Sequence, residues 1–243
     1  MKEHPVFPKL ENENVKIWRY VDFTKFVSLL DTKSLFFSRS DKLGDLFEGS
    51  TSRANIKLRP SIYQDKIPEL GLKQMSEFTE RLRYHTFLNC WHINEFESDA
   101  MWKLYAKNNT GIAIQSTYKR LVDVLKENEE AYVGEVKYID YESDWLPEGF
   151  TFYQFMHKQN SFKHETELRA IIQRYPNPEK GIFIDKPGPL GLSIQINLDE
   201  LIEKIYISST SPEWFSDLVK SISKKYNMTK EISFSKLSER PVY

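Results

Sequence analysis

Apolar and polar side chains alternate over residues 15–20, VKIWRY, which predicts a strand carrying Arg19. Asp22 then stands where a helix cap belongs, and Phe23, Phe26, Val27 and Leu30 recur at helical spacing behind it. Residues 34–38, SLFFS, predict a second strand that ends on Ser38. RSDKLGDLFEGS follows as a polar loop carrying Asp45 and Glu48 around Phe47. Residues 51–84 are polar and mostly helical in pattern, with Met75, Phe78 and Leu82 on one face. A strand is expected over 86–92. Ser98 caps a helix over 99–108, on which Met101, Leu104 and Tyr105 point inward and Trp102 projects off the stripe.

The pattern continues with a strand over 112–114, a helix over 118–127, a strand over 132–139 and a helix over 148–158. Residues 160–173, NSFKHETELRAIIQ, carry the densest chemistry. As a strand they place Glu165, Glu167 and Arg169 on one face and Thr166, Leu168, Ala170 and Ile172 on an apolar one. As a helix they would offer only an ordinary Glu165–Arg169 pair. The β-favouring Ile171 and Ile172 and the stop at Tyr175 and Pro176 favour the strand. Further strands are expected over 182–184 and 192–196, separated by Gly188-Pro189-Leu190-Gly191, and over 232–234. A short helix passes into a strand across 201–208. A helix capped by Ser211 shows Trp214, Leu218, Ser221 and Ile222 on one face. Strands and helices mix without a βαβ rhythm, internal repeat or linker. The expectation is a single α+β domain over residues 1–243, with a mixed, mostly antiparallel sheet and surrounding helices.

Composition narrows the function classes. With 243 residues, 40% of them hydrophobic and 28% charged, the chain reads as soluble, with room for a sizeable core. A net charge of −1 removes any strong global pull toward nucleic acid or an anionic membrane and leaves local patches open. The lone cysteine, Cys90, builds no disulfide framework. The charged start lacks an apolar signal region, and no run approaches the roughly 18 apolar residues of a membrane span. A cytoplasmic protein with no membrane partner is expected.

Three segments, in order, carry a resemblance: WRYVDFTKFVSLLDTKSLFFSRSDKLGDLFEGS, FLNCWHINEFESDAMWKLYAKNNTGIAI and KQNSFKHETELRAII. Together they resemble the bacterial family known as domain of unknown function 2971, over nearly the whole chain. Asp45, Glu48, Trp102, Tyr105, Glu165, Glu167 and Arg169 keep that family's pattern. Gly44, Leu46, Phe162 and Ser208 depart from it. The resemblance implies a fold and a site, without a reaction.

The order of Arg19, Ser38 and the later Glu-x-Glu also looks similar to ADP-ribosyltransferases of the arginine–serine–glutamate type. That likeness implies that Arg19 anchors a phosphate or ribose and that Ser38 shapes a nicotinamide pocket. It also makes Glu167 the catalytic carboxylate and Glu165 an aid to the acceptor, because a carboxylate stabilises an oxocarbenium. NAD is the cofactor to test first. Arg169 would neutralise one carboxylate and leave Glu167 for substrate, so that Glu167→Gln would spare the melting temperature. The same charges equally suit a structural ion-pair network. A shared Mg²⁺ on Asp45, Glu48, Glu165 and Glu167 is disfavoured by Arg169 beside them, so no metal is expected. Cys90 and His92 share a strand face and invite a thiolate–imidazole reading, against which a core cysteine is the simpler account. Trp102 is the ring expected to meet a ligand, together with Tyr105. The preferred function is a nucleotide-handling transferase. The alternative is a non-catalytic module that binds a protein or nucleic acid in a bacterial defence or toxin setting.

Overall fold

The computed structural model describes residues 4–64, 66–105, 109–126, 131–175 and 187–239. The first half contains β1 (Lys16–Asp22), α1 (Phe23–Thr32), β2 (Ser34–Arg39), α2 (Arg53–Ile62), α3 (Glu69–Leu82), β3 (Thr86–Ile93), α4 (Asp99–Tyr105), β4 (Gly111–Thr117) and α5 (Tyr118–Lys126). The second half contains β5 (Tyr132–Glu135), β6 (Lys137–Ile139), β7 (His157–Gln159), β8 (Glu167–Gln173), β9 (Gly191–Gln195), α6 (Leu198–Leu201), β10 (Lys204–Ile207), α7 (Glu213–Lys225) and β11 (Ile232–Phe234).

Nine of these strands form one sheet in the order β11-β10-β4-β1-β3-β2-β9, with β8 also on β3 and β5 on β8. β10 and β11 run parallel, and the other neighbours in the sheet are antiparallel. β6 and β7 form a separate parallel pair. The chain is therefore a single α+β domain built on a mixed, mostly antiparallel sheet. Among the described residues no helix is long and apolar enough to cross a membrane.

Asp22 starts α1 by accepting from the Lys25 amide at 2.8 Å, and Lys33 ends it in the left-handed region at φ 47°. Phe26 and Leu30 of α1, Leu125 of α5 and Val219 of α7 close over Ile17, Leu168 and Ile205. Each such buried side chain contributes about 1.5–3 kcal/mol relative to exposure. This apolar layer fixes one face of the sheet, so the alternate residues of the same strands must emerge on the other.

Several expectations need correction. The strand over 160–173 begins only at Glu167, because Asn160–Glu165 is a 3-10 turn and Thr166 takes a left-handed φ of 39°. Thr166 is accordingly exposed and not in the core. The helix over 148–158 is replaced by irregular chain, a 3-10 turn at Tyr153–Phe155 and strand β7. Gly149 at φ 148° interrupts that stretch, and Glu148 is drawn away to the buried Arg59 at 2.7 Å. On α7 the buried residues are Phe215, Ser216, Val219 and Ser223, while Trp214 is 61% exposed and Leu218 also faces out. The helix begins at Glu213 with Pro212 as its cap, and its apolar stripe runs through Phe215 and Val219 at i, i+4. The long helical stretch 51–84 divides into α2 and α3, and 132–139 divides into β5 and β6. The strand expected over 182–184 lies outside the described residues.

Candidate functional site

The site grows from a split in the sheet. β8 pairs with β3 along Thr86–His92, so β1 and β2 must share the opposite edge of β3. β2 holds the beginning of that edge, at Arg39↔Phe87 and Ser38↔Leu88. β1 holds the end, at Trp18↔His92 and Ile17↔Ile93. Between them Asn89, Cys90 and Trp91 have no described strand beside them on that edge. A cleft of about 940 Å³ occupies the opening.

Register decides which side chains meet there, because directly paired residues share a face. Ser38, Cys90, His92, Glu167 and Arg169 emerge on the face away from the main core. Arg19, Asn89 and Trp91 emerge on the core face. Arg19 and Glu167 thus leave the sheet on opposite sides, and the split is what brings both to one cleft. Arg19 lies with its guanidinium 5.8 Å from the Trp91 ring centroid. Its Nη2 reaches the Phe36 carbonyl only at 3.5 Å, while Asn89 donates to the same oxygen at 2.9 Å. Arg19 Nη1 is buried and has no partner among the described residues. Burial lowers its pKa to about 10, so the group stays charged at neutral pH.

On the other edge of β3, Arg169 of β8 is fully buried and donates from all three of its nitrogens. Nη1 and Nη2 each meet Glu48 at 2.7 Å. Nε and Nη2 meet Glu167 at 2.6 and 3.1 Å, and Nη1 also meets the Phe155 carbonyl at 2.6 Å. These bonds use the guanidinium's whole set of five N–H donors. One arginine therefore serves two carboxylates, which corrects the expectation that it would leave Glu167 unpaired. Lys158 of β7 donates to Glu165 in a short ion pair and to Glu167 at 3.2 Å. The Tyr105 hydroxyl donates to the other oxygen of Glu165 at 2.7 Å.

Buried together, these groups hold one another's protonation. Burial alone would raise Glu167, but Arg169 and Lys158 outweigh it and hold the carboxyl at about 2. Glu48 is pushed up to about 7 by burial, against Arg169 and with help from Glu167. Burial alone would lower Lys158, but Glu167 and Glu165 hold it above the ordinary lysine value. Burial, and then Glu167, push the Cys90 thiol well up, so a thiolate nucleophile has no support at this position.

Most of the residues singled out from the sequence do converge. Arg19, Ser38, Asp45, Glu48, Tyr105, Glu165, Glu167 and Arg169 all line the cleft. Asp45 shapes its loop by accepting from the Phe47 amide at 2.9 Å. Trp102 does not belong with them. It is buried against Tyr20, Met101 and Trp18, and its indole N–H goes to Glu97 at 3.0 Å. The turn of α4 is rotated from its expected setting, so Leu104 and Tyr105 are the half-exposed residues. Lys158 was hidden in sequence by an apparent helix, although it heads the third segment of the family resemblance. Among the described residues no cluster of three or more histidines, cysteines or acids is arranged to hold a metal ion.

Gly49 sets the height of Glu48. It has φ 71°, and a Cβ there would run into the Phe155 ring and stand 3.0 Å from Arg83 Cγ. Gly49→Ala should therefore lower stability by more than about 1 kcal/mol. A denaturant melt checks this, and an unchanged midpoint would show that the loop relaxes freely.

No protein-family model and no curated protein matches this chain. Among solved structures it is similar to Thermus sp. 2.9 DarT in complex with carba-NAD+, with a TM-score of 0.40 and 7% identity over 94% of this chain and 100% of that one. A likeness so slight decides nothing about the chemistry of this cleft.

Proposed function

We propose that the cleft binds a phosphate-bearing nucleotide, with NAD⁺ tested first, and that the protein is a transferase with ADP-ribosyltransferase-like logic. The observation that carries this reading is the buried Arg19 Nη1 without an acceptor among the described residues, in the same cleft as a carboxylate that stays ionised down to about pH 2. A buried cationic N–H without an acceptor is costly, and a phosphate oxygen removes that cost. In this reading Arg19 binds the phosphate and Ser38 borders the base. Glu167 stabilises the positive charge on the ribose as the bond from C1′ to nicotinamide breaks. The acceptor's oxygen or nitrogen then bonds to C1′, and Glu165 takes its proton. The three resembling segments meet at this one cleft, and we take that as support for kinship with the domain of unknown function 2971 family.

NAD⁺ or ADP-ribose at about a hundred times its dissociation constant should raise the melting temperature by roughly 5–10 °C. Arg19→Met should abolish that rise without lowering the melting temperature of the free protein, since it removes a half-buried charge whose buried Nη1 has no partner among the described residues. If neither ligand moves the wild-type transition, the nucleotide reading is wrong. The second reading, a binding module with a structural ion network, is favoured by the way Arg169 spends its donors inside the protein. Under it the cleft shows no NAD⁺ turnover.

A further inference from the structure

Among the described residues, His92 is the other side chain lining the cleft that has a buried polar atom without a partner. Its Nδ1 lies 2.6 Å from the backbone carbonyl of Glu165, an oxygen that can only accept. Nδ1 therefore carries the proton, and Nε2 of the neutral ring is an acceptor. That Nε2 is buried and has no partner among the described residues, and the residue lines the cleft. Its neighbours do not satisfy it. Trp18, directly across the register, gives its indole N–H to the Asn94 carbonyl at 2.7 Å. Glu167, across on β8, is an ionised carboxylate without a proton to give. Lys158 is committed to Glu165 and Glu167. The Tyr20 hydroxyl accepts from the Ser98 amide at 2.8 Å, and with its ring centroid 6.4 Å from that of His92 it makes no hydrogen bond to Nε2.

The cleft thus contains two unsatisfied buried atoms of opposite need, a cationic donor on Arg19 and a neutral acceptor on His92. We propose that His92 Nε2 accepts a hydrogen bond from an O–H or N–H group of the ligand whose anionic group Arg19 holds, which makes His92 a specificity-determining residue. This rests on the nucleotide reading and deepens it. A nucleotide offers such a donor as a ribose hydroxyl, and NAD⁺ adds a carboxamide. The backbone bond to Glu165 fixes the ring, so its acceptor is aimed before the ligand arrives.

The test uses full-length protein with ¹⁵N-labelled histidine, titrated with NAD⁺ and with ADP-ribose while thermal shift follows binding. In the free protein the ring signals should show the proton on Nδ1. At saturation the Nε2 resonance should move toward the hydrogen-bonded range. Movement with both ligands assigns a donor they share, a ribose hydroxyl or the adenine amino group, and movement with NAD⁺ alone assigns the carboxamide. His92→Phe, which keeps a ring of similar size, should weaken the binding of that ligand about tenfold. A nucleotide that binds the wild type while leaving Nε2 unmoved overturns the inference and spares the nucleotide reading. Absence of binding by either nucleotide removes both.

Discussion

Replacing Arg169 with alanine should lower the unfolding free energy by about 3–5 kcal/mol, a fall of roughly 6–20 °C in melting temperature for a chain of this size. The side chain is fully buried and bridges Glu48 of the loop after β2, Glu167 of its own strand and the Phe155 carbonyl. Its loss leaves two buried carboxylates, of which Glu167 is otherwise ionised and keeps Lys158 as its cation. An exposed ion pair is worth about 1 kcal/mol or less, so the size of the effect separates the two cases. Arg169→Lys should recover little, because an ammonium cannot serve both carboxylates in the fork geometry. Glu48→Ala should also destabilise by more than an exposed pair allows. The double variant should fall short of the sum of the two, since each already breaks the bidentate contact. A loss within about 1 kcal/mol for Arg169→Ala would show that the network carries no stability.

The part of this site that was legible in the sequence is the part governed by period. Two-residue spacing places Glu167 and Arg169 on one face of β8, and the apolar Leu168, Ala170 and Ile172 on the core face. The pairing of Glu48 with an arginine follows from the cost of burying a carboxylate alone. Period fails where the backbone resets. Thr166 in the left-handed region breaks the alternation, yet Glu165 still reaches the network, through Lys158 and Tyr105 and not through strand parity. Period also puts Arg19 on the opposite face from Glu167. Only the gap between β1 and β2 on the edge of β3 opposite β8 lets them share a cleft, and that is a property of long-range pairing which no local window contains. The swap of Trp102 and Tyr105 is a smaller case of the same kind. A seven-residue helix has too few turns for its stripe to fix its rotation, and packing against Tyr20 decides instead.

Glu48 and Glu167 should give the stability of the fold two opposing limbs as pH changes. Both carboxyls start from an ordinary value of 4.5, but in the folded protein one lies at about 7 and the other at about 2. Glu167, being depressed, binds its proton more weakly in the folded state. Its contribution is therefore full above 4.5 and is lost as pH falls toward 2. Glu48, being raised, binds its proton more tightly in the folded state. Its contribution is full below 4.5 and is lost as pH rises through 7. Each limb amounts to about 3 kcal/mol as an order of magnitude. Urea melts of wild type and variants between pH 3 and 8 read this out as difference curves. Glu167→Gln should remove the rising limb on the acid side and so destabilise the protein at neutral pH, which revises the expectation that it would leave the melting temperature unchanged. Glu48→Gln should remove the falling limb and narrow its own deficit as pH approaches 8. Any loss of NAD⁺ turnover in Glu167→Gln then bears on catalysis only when it is measured well below that variant's lowered transition. Difference curves for the two variants with the same slope would mean that the two carboxyls titrate as one unit and that Glu167 is not held ionised on its own.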